Sequence, residues 1–159
     1  LSQSCQQAQK KTEIDVSKIR ISIDGFKSSL DISQFFDAQF VSLETTKESM
    51  VGEIDKIIVW ENLIYILDRQ KAKKLFVFDM DGRFVRTIGQ LGKGDGEYLV
   101  LTDFNIYEDK IYVSSQQDNK MLIFNLEGEH IKDIRFSGYV GMNFSVLDHG
   151  FVIKSTGGS

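Results

Sequence analysis

Three stretches of this sequence hold residue types that serve known chemistries, and each lacks part of the set its chemistry requires. Gly89-Gln90-Leu91-Gly92-Lys93-Gly94-Asp95-Gly96-Glu97 is rich in glycine, and the bare backbone N–H groups of such a loop approach a phosphate closely. Phosphate cradling needs a helix after the loop and a Lys-Ser/Thr pair. Here the next element reads as a strand, the pair is missing, and Asp95 and Glu97 repel an anion. The loop is read as a crossing between strands, fixed by Glu97 hydrogen-bonded to backbone N–H groups. Asp79-Met80-Asp81-Gly82 begins like a calcium loop, but Arg83 and Phe84 follow where further oxygen ligands and a closing Glu belong. It reads as a hairpin turn. His130 and His149 have no zinc-like spacing, and no Ser, His and acid set is placed for a nucleophile. No catalytic residue, metal site or cofactor is expected in this segment.

Cys5 carries chemistry of another kind. In Leu1-Ser2-Gln3-Ser4-Cys5 it follows small residues and precedes the polar run from Gln6 to Lys11. This resembles the end of a bacterial lipoprotein signal, where the cysteine becomes the lipidated residue. The pattern departs at Ser2, where Leu or a similar residue is usual, and the charged and apolar parts of a signal peptide are absent. The expectation is lipidation at Cys5, with residues 1–15 as a polar tether. A lone cysteine forms no internal disulfide, so the fold stands on packing.

The 159 residues are 42% hydrophobic and 26% charged, which suits a globular unit with a real core. The net charge of −4 and the absence of a basic patch argue against nucleic acid as a partner. Lys71, Lys73 and Lys74 form the one basic cluster, and they read as a solvated hairpin. No window approaches the roughly 18 apolar residues of a membrane span. With no proline in the chain, Gly, Asp and Asn must make the turns.

A repeat sets the elements that position these residues. Leu63-Ile64-Tyr65-Ile66-Leu67-Asp68 recurs as Lys110-Ile111-Tyr112-Val113-Ser114-Ser115. Leu75-Phe76-Val77-Phe78-Asp79-Met80-Asp81-Gly82 recurs as Met121-Leu122-Ile123-Phe124-Asn125-Leu126-Glu127-Gly128. A period of about 45 residues built from short strands is the signature of β-propeller blades. The fold class expected is all-β, a propeller of four-stranded antiparallel blades. The first blade has strands at Ile54–Trp60, Leu63–Asp68, Leu75–Asp79 and Phe84–Gly89. The second has them at Phe104–Tyr107, Lys110–Ser115, Met121–Asn125 and His130–Phe136. A third begins with Phe144–Leu147 and Phe151–Ser155. The blades divide at about 51–98, 99–137 and 138–159. Earlier, Ile19, Ile21 and Ile23 alternate as a strand, Asp31–Phe36 reads as a helical turn, and Phe40-Val41-Ser42-Leu43 as a further strand.

Blades pack face to face around an axis, so each needs two neighbours. Two and a half blades leave apolar residues such as Val77, Phe78 and Ile123 without a partner on one side. A closed ring takes about 4–8 blades. Residues 16–159 are therefore expected to be the N-terminal part of a propeller in a longer protein, or to complete a ring by oligomerising. Strand 40–43 is expected to close the last blade.

The ordered motifs carry a family resemblance. Phe40–Thr46, Met50–Ile57, Ile64–Arg69, Phe76–Gly89 and Gly92–Tyr98 follow one another in a series. It resembles the six-bladed β-propeller lipoproteins of Bacteroides-type bacteria, described as TolB-like or NHL-like, over roughly residues 12–157. Asp95 stands where that family usually carries Pro, and family members are about twice as long. The resemblance implies export, a lipid anchor in the cell envelope, and binding or scaffolding; it lends no catalytic residues. The absence of an acidic run after Cys5 favours the periplasmic side over surface display.

Trp60, Tyr65, Tyr107 and Tyr112 form two matched pairs, read as packing between blades. Asp68, Arg69 and Gln70, with Ser115, Gln116 and Gln117, occupy the turns between second and third strands. Such turns gather on one face, and these residues are the candidate binding surface. The expected function is a non-enzymatic exported propeller that presents this face to a protein, peptide or glycan. The alternatives are an enzyme whose central site lies mostly in blades absent here, or a truncated product without function. Lys56 and Asp103, polar positions on the first strands, would serve as controls for the enzymatic alternative.

Overall fold

The computed structural model describes residues 40–137 and 143–154. The tether with Cys5, the strand near Ile19–Ile23 and the Asp31–Phe36 turn lie outside them. Twelve strands are described: β1 Lys56–Trp60, β2 Leu63–Asp68, β3 Lys74–Asp79, β4 Phe84–Ile88, β5 Gln90–Leu91, β6 Glu97–Tyr98, β7 Leu101–Tyr107, β8 Lys110–Ser115, β9 Lys120–Asn125, β10 His130–Arg135, β11 Asn143–Leu147 and β12 Gly150–Lys154. They form two four-stranded antiparallel sheets, β1-β2-β3-β4 and β7-β8-β9-β10, a hairpin β11-β12, and a short parallel pair β5-β6.

The repeat is visible in the backbone. Glu61 and Asn62 both have positive φ, 45° and 61°, and so do Glu108 and Asp109, 45° and 55°. These are two-residue turns whose twist matches the strands they join. Gly82 (φ 81°) and Gly128 (φ 87°) close equivalent turns between third and fourth strands. A Cβ at Gly82 would also strike the carbonyl oxygen of Ser42, so this position needs glycine on two counts.

Alternation places one face of each sheet forward and one back. Leu75 and Val77 face the second sheet, which answers with Leu122 and Phe124; Tyr65, Leu67, Ile88, Tyr98 and Phe104 complete this core. Phe76 and Phe78 face the other way, with Ile64 and Ile66, and are sealed by Leu43, Val51, Ala72 and Phe84. The expectation that Val77, Phe78 and Ile123 lack a cover is thereby corrected. Val77 is covered by the second sheet, and Ile123 is buried beside Tyr112, whose ring meets Phe151 of the hairpin. Phe78 is buried too, but beneath the 40–51 segment rather than between the sheets.

Residues 40–43 are not a strand. The segment runs past the Gly82 turn, where Glu44 N–H donates to the Gly82 carbonyl at 2.7 Å and Phe84 N–H to the Glu44 carboxylate at 2.8 Å. It contributes Leu43 to the packed face instead of a ladder. Strand β7 begins at Leu101, three residues before the expected start, because a bulge between Leu101 and Asp103 masks the alternation.

Candidate functional site

The candidate residues lie at the ends of β2 and β8, where the chain turns into β3 and β9. Three loops meet there: the turns after Asp68 and Ser115, and the crossing from Gly89 to Val100. Between them is a cavity of about 320 Å³ lined by Arg69, Gln70, Lys73, Gln116 and Thr102, with Leu91 and Leu99–Leu101.

Asp68 is not part of its surface. It is fully buried. One carboxylate oxygen accepts from Gly52 N–H (2.8 Å) and Glu53 N–H (2.9 Å), the other from Lys71 and Ala72 N–H (both 2.9 Å). Burial pushes this carboxyl up, but the four N–H donors outweigh it and hold it below the ordinary value. Asp68 therefore shapes the turn. Arg69 is half-buried against Asp55: Nε and Nη2 donate to Oδ1 at 2.9 and 2.7 Å, and the Arg69 N–H donates to Oδ2 at 2.7 Å. Burial raises the Asp55 carboxyl, and the Arg69 hydrogen bonds and charge lower it further than burial raises it.

In the second turn Ser115 is also buried, hydrogen-bonded to Asp118 and accepting from Val100 N–H at 3.4 Å. Thr102 Oγ1 accepts from Gln116 N–H at 3.1 Å and donates to the Val100 carbonyl at 3.2 Å. Gln70 and Gln117 are exposed, and Gln116 is half-buried. Of the six candidates, Arg69, Gln70 and Gln116 line one cavity; Asp68 and Ser115 are structural, a correction that follows from strand-end polar groups satisfying turn N–H donors.

The crossing behaves as expected. Glu97 accepts from Gly94 N–H (2.8 Å) and Gln90 Nε2 (2.7 Å), which holds its carboxyl below the ordinary value. A Cβ on Gly92 would collide with that carboxylate, so glycine here lets Glu97 fold back.

Two polar networks escaped the sequence reading. Lys120 is fully buried and donates to Asp133 Oδ2 (3.1 Å) and the Gly94 carbonyl (3.2 Å), with Asp118 at 3.5 Å. Strand-terminal lysines usually read as solvated, so nothing in the pattern marked it. The second network joins the first strands of successive sheets. Lys56 Nζ donates to Asp103 Oδ1 (2.8 Å) and the Phe104 carbonyl (2.7 Å), while Asn105 Nδ2 donates to the Phe144 carbonyl (2.6 Å). Strands β1, β7 and β11 thus lie side by side. Among the described residues no group of three or more His, Cys, Asp and Glu is placed to hold a metal ion.

Consecutive four-stranded antiparallel sheets, stacked face to face and joined through their first strands, define an all-β repeat protein. The chain belongs to the family described as a domain of unknown function, DUF4934, which it matches over residues 15–159. It is similar to a crystal structure of a Bacteroides fragilis protein described as a "putative exported protein", at 28% identity and a TM-score of 0.64. The match covers 70% of this chain and 32% of that one, so the matched part of this chain spans about a third of that protein's length. No curated protein matches the chain.

Proposed function

We propose that this chain is part of an exported β-propeller that acts by binding, and that it offers the turn end holding Arg69, Gln70, Gln116 and Gln117 to a protein, peptide or glycan. The turn end is chosen because Arg69, Gln70 and Gln116 line one cavity there; the observation that carries the propeller reading is a difference between equivalent positions. Ile57 and Val59 of β1 are 50% and 55% exposed, whereas their counterparts in β7, Phe104 and Ile106, are buried and half-buried against the first sheet. A face built to be covered, at the open side of a regular stack, supports a further blade packed on that side of the first, where ring closure would bring the last one. The length of the similar Bacteroides fragilis protein accords with this, and its description supports export. Lipidation at Cys5 and a position in the cell envelope belong to the same reading.

The test is photo-crosslinking of the complete protein in its host. A crosslinker at Gln70 or Gln117 is expected to trap a defined partner. The same group at Glu61 or Glu108, on turns at the opposite strand ends, is expected to trap none. Trapping from neither end, together with substrate turnover by the complete protein, would replace this reading with the enzymatic one.

A further inference from the structure

The cavity at the turn end has an unbalanced lining. Arg69 and Lys73 contribute two cations, and no carboxylate lines it. Asp55 takes Nε and Nη2 of Arg69, while Nη1 donates to none of the described residues. Lys73 makes no ion pair among the described residues. It is an exposed residue held at φ 55°, with its carbonyl accepting from Tyr98 Oη at 3.2 Å. A second hollow of about 330 Å³ shares Lys73 and Leu91 with the first, adds Lys74, and again has no carboxylate in its lining. Lys73 therefore stands on a ridge between two hollows, beside aliphatic side chains that face water: Leu91 is 54% and Val100 42% exposed.

From this we infer a specific ligand class, resting on the binding reading above: an acidic peptide segment, with an Asp or Glu carboxylate against Lys73 and Arg69 and a neighbouring aliphatic residue on Leu91 and Val100. Charge complementarity selects the anion. The aliphatic floor selects a peptide over a glycan, because sugar recognition uses exposed aromatic faces; the first hollow has no aromatic lining, and Tyr98 in the second is buried. The chain's overall charge of −4 makes this cationic spot a local exception, which favours a local contact over long-range attraction.

The repeat supplies a substitution that keeps the turn. Asn119 occupies the equivalent left-handed position in the second repeat, at φ 47°. Lys73→Asn thus removes the charge with a residue that tolerates that backbone. A random hexapeptide array is probed with the full chain at low and high salt. Sequences pairing Asp or Glu with Leu, Ile or Val are expected to be enriched at low salt and lost at high salt. The best of them is expected to bind Lys73→Asn about fivefold more weakly, a change of about 1 kcal/mol. Leu91→Asp, at an exposed position, is expected to abolish binding. Enrichment of neutral or basic sequences, no enrichment, or unchanged binding by Lys73→Asn overturns the inference. A partner crosslinked at Gln70 or Gln117 alongside such a result would leave the binding reading standing; turnover without a crosslinked partner would remove both.

Discussion

At the close of its second strand the first sheet buries an anion, and at the start of its third strand the second sheet buries a cation. Asp68 and Ser115 are equivalent, as are Lys74 and Lys120. Asp68 collects four backbone N–H groups from two segments, while Lys74 stays half-exposed over the Phe76 ring. Ser115 has too little reach for that role. The second corner instead turns on Lys120, which gathers the Gly94 carbonyl and the carboxylates of Asp118 and Asp133. Burial pushes Asp133 up, and hydrogen bonds from His130 and Lys120 with the charge of Lys120 bring it below the ordinary value. The same corner can thus be satisfied from either side of the charge ledger, provided every buried polar group finds partners.

The two sheets differ as sharply in what covers them. The largest expected effect tests that difference. Phe78 and Phe124 occupy equivalent strand positions, yet the first is sealed by Leu43, Val51 and Phe84 and the second by a whole sheet. Phe78→Asp buries a charge in that seal and is expected to cost more than about 4 kcal/mol. No cooperative thermal transition should remain by circular dichroism. A cooperative melt would mean that the 40–51 segment is a dispensable cover.

Lys120→Met ranks next. It leaves Asp118 and Asp133 without their buried counter-charge, and unfolding free energy should fall by about 3–5 kcal/mol in urea titration. Asp68→Asn should cost about 2–3 kcal/mol, since an amide accepts through only one oxygen and strands some of the four N–H donors. Its pH dependence has a defined sign. The folded Asp68 carboxyl lies below its unfolded value, so its contribution is present above about pH 4 and is lost as pH falls through the folded value. The stability gap between the native chain and Asp68→Asn should therefore narrow in acid. A gap that widens there would contradict the hydrogen-bond geometry.

The smallest effect sharpens the open-face comparison. Val59→Thr should change the stability of this chain by no more than about 0.5 kcal/mol, because Val59 is exposed. In a complete protein whose stack covers that face, the same change should cost about 1–2 kcal/mol. Equal, small effects in both would argue that the face stays open.

Much of the fold could be read from residue order. Leu63–Asp68 and Lys110–Ser115 are strands over the expected residues, because alternating β-branched and aromatic residues end at clear turns. The Phe40–Leu43 misreading has the same root. Its composition suits a strand, but a ladder needs a neighbour at the right spacing, and this segment instead spends its side chains on packing. At the turn end, sequence pointed to Arg69, Gln70 and Gln116 through their place in the repeat. It pointed equally to Asp68 and Ser115, since nothing local distinguishes a polar side chain that faces water from one that gathers N–H groups. Leu91, Val100 and Lys73 were out of reach, because the cavity exists only where three separate loops converge.

The order of the strands bears on how the chain acquires its shape. Within each four-stranded sheet, every ladder joins neighbours in sequence. Pairing therefore closes short loops at small entropic cost, and such local contacts form early and fast. The two faces of the first sheet gain their cover at different times. Leu43 and Val51 precede Phe76 and Phe78 in the chain and are at hand when these emerge, while Leu75 and Val77 await Leu122 and Phe124, synthesised tens of residues downstream. A nascent chain would thus assemble as a series of hairpins, each with one apolar face exposed until its successor emerges. The interval between one sheet and the next, rather than the strength of any strand, is when this architecture is most open to aggregation.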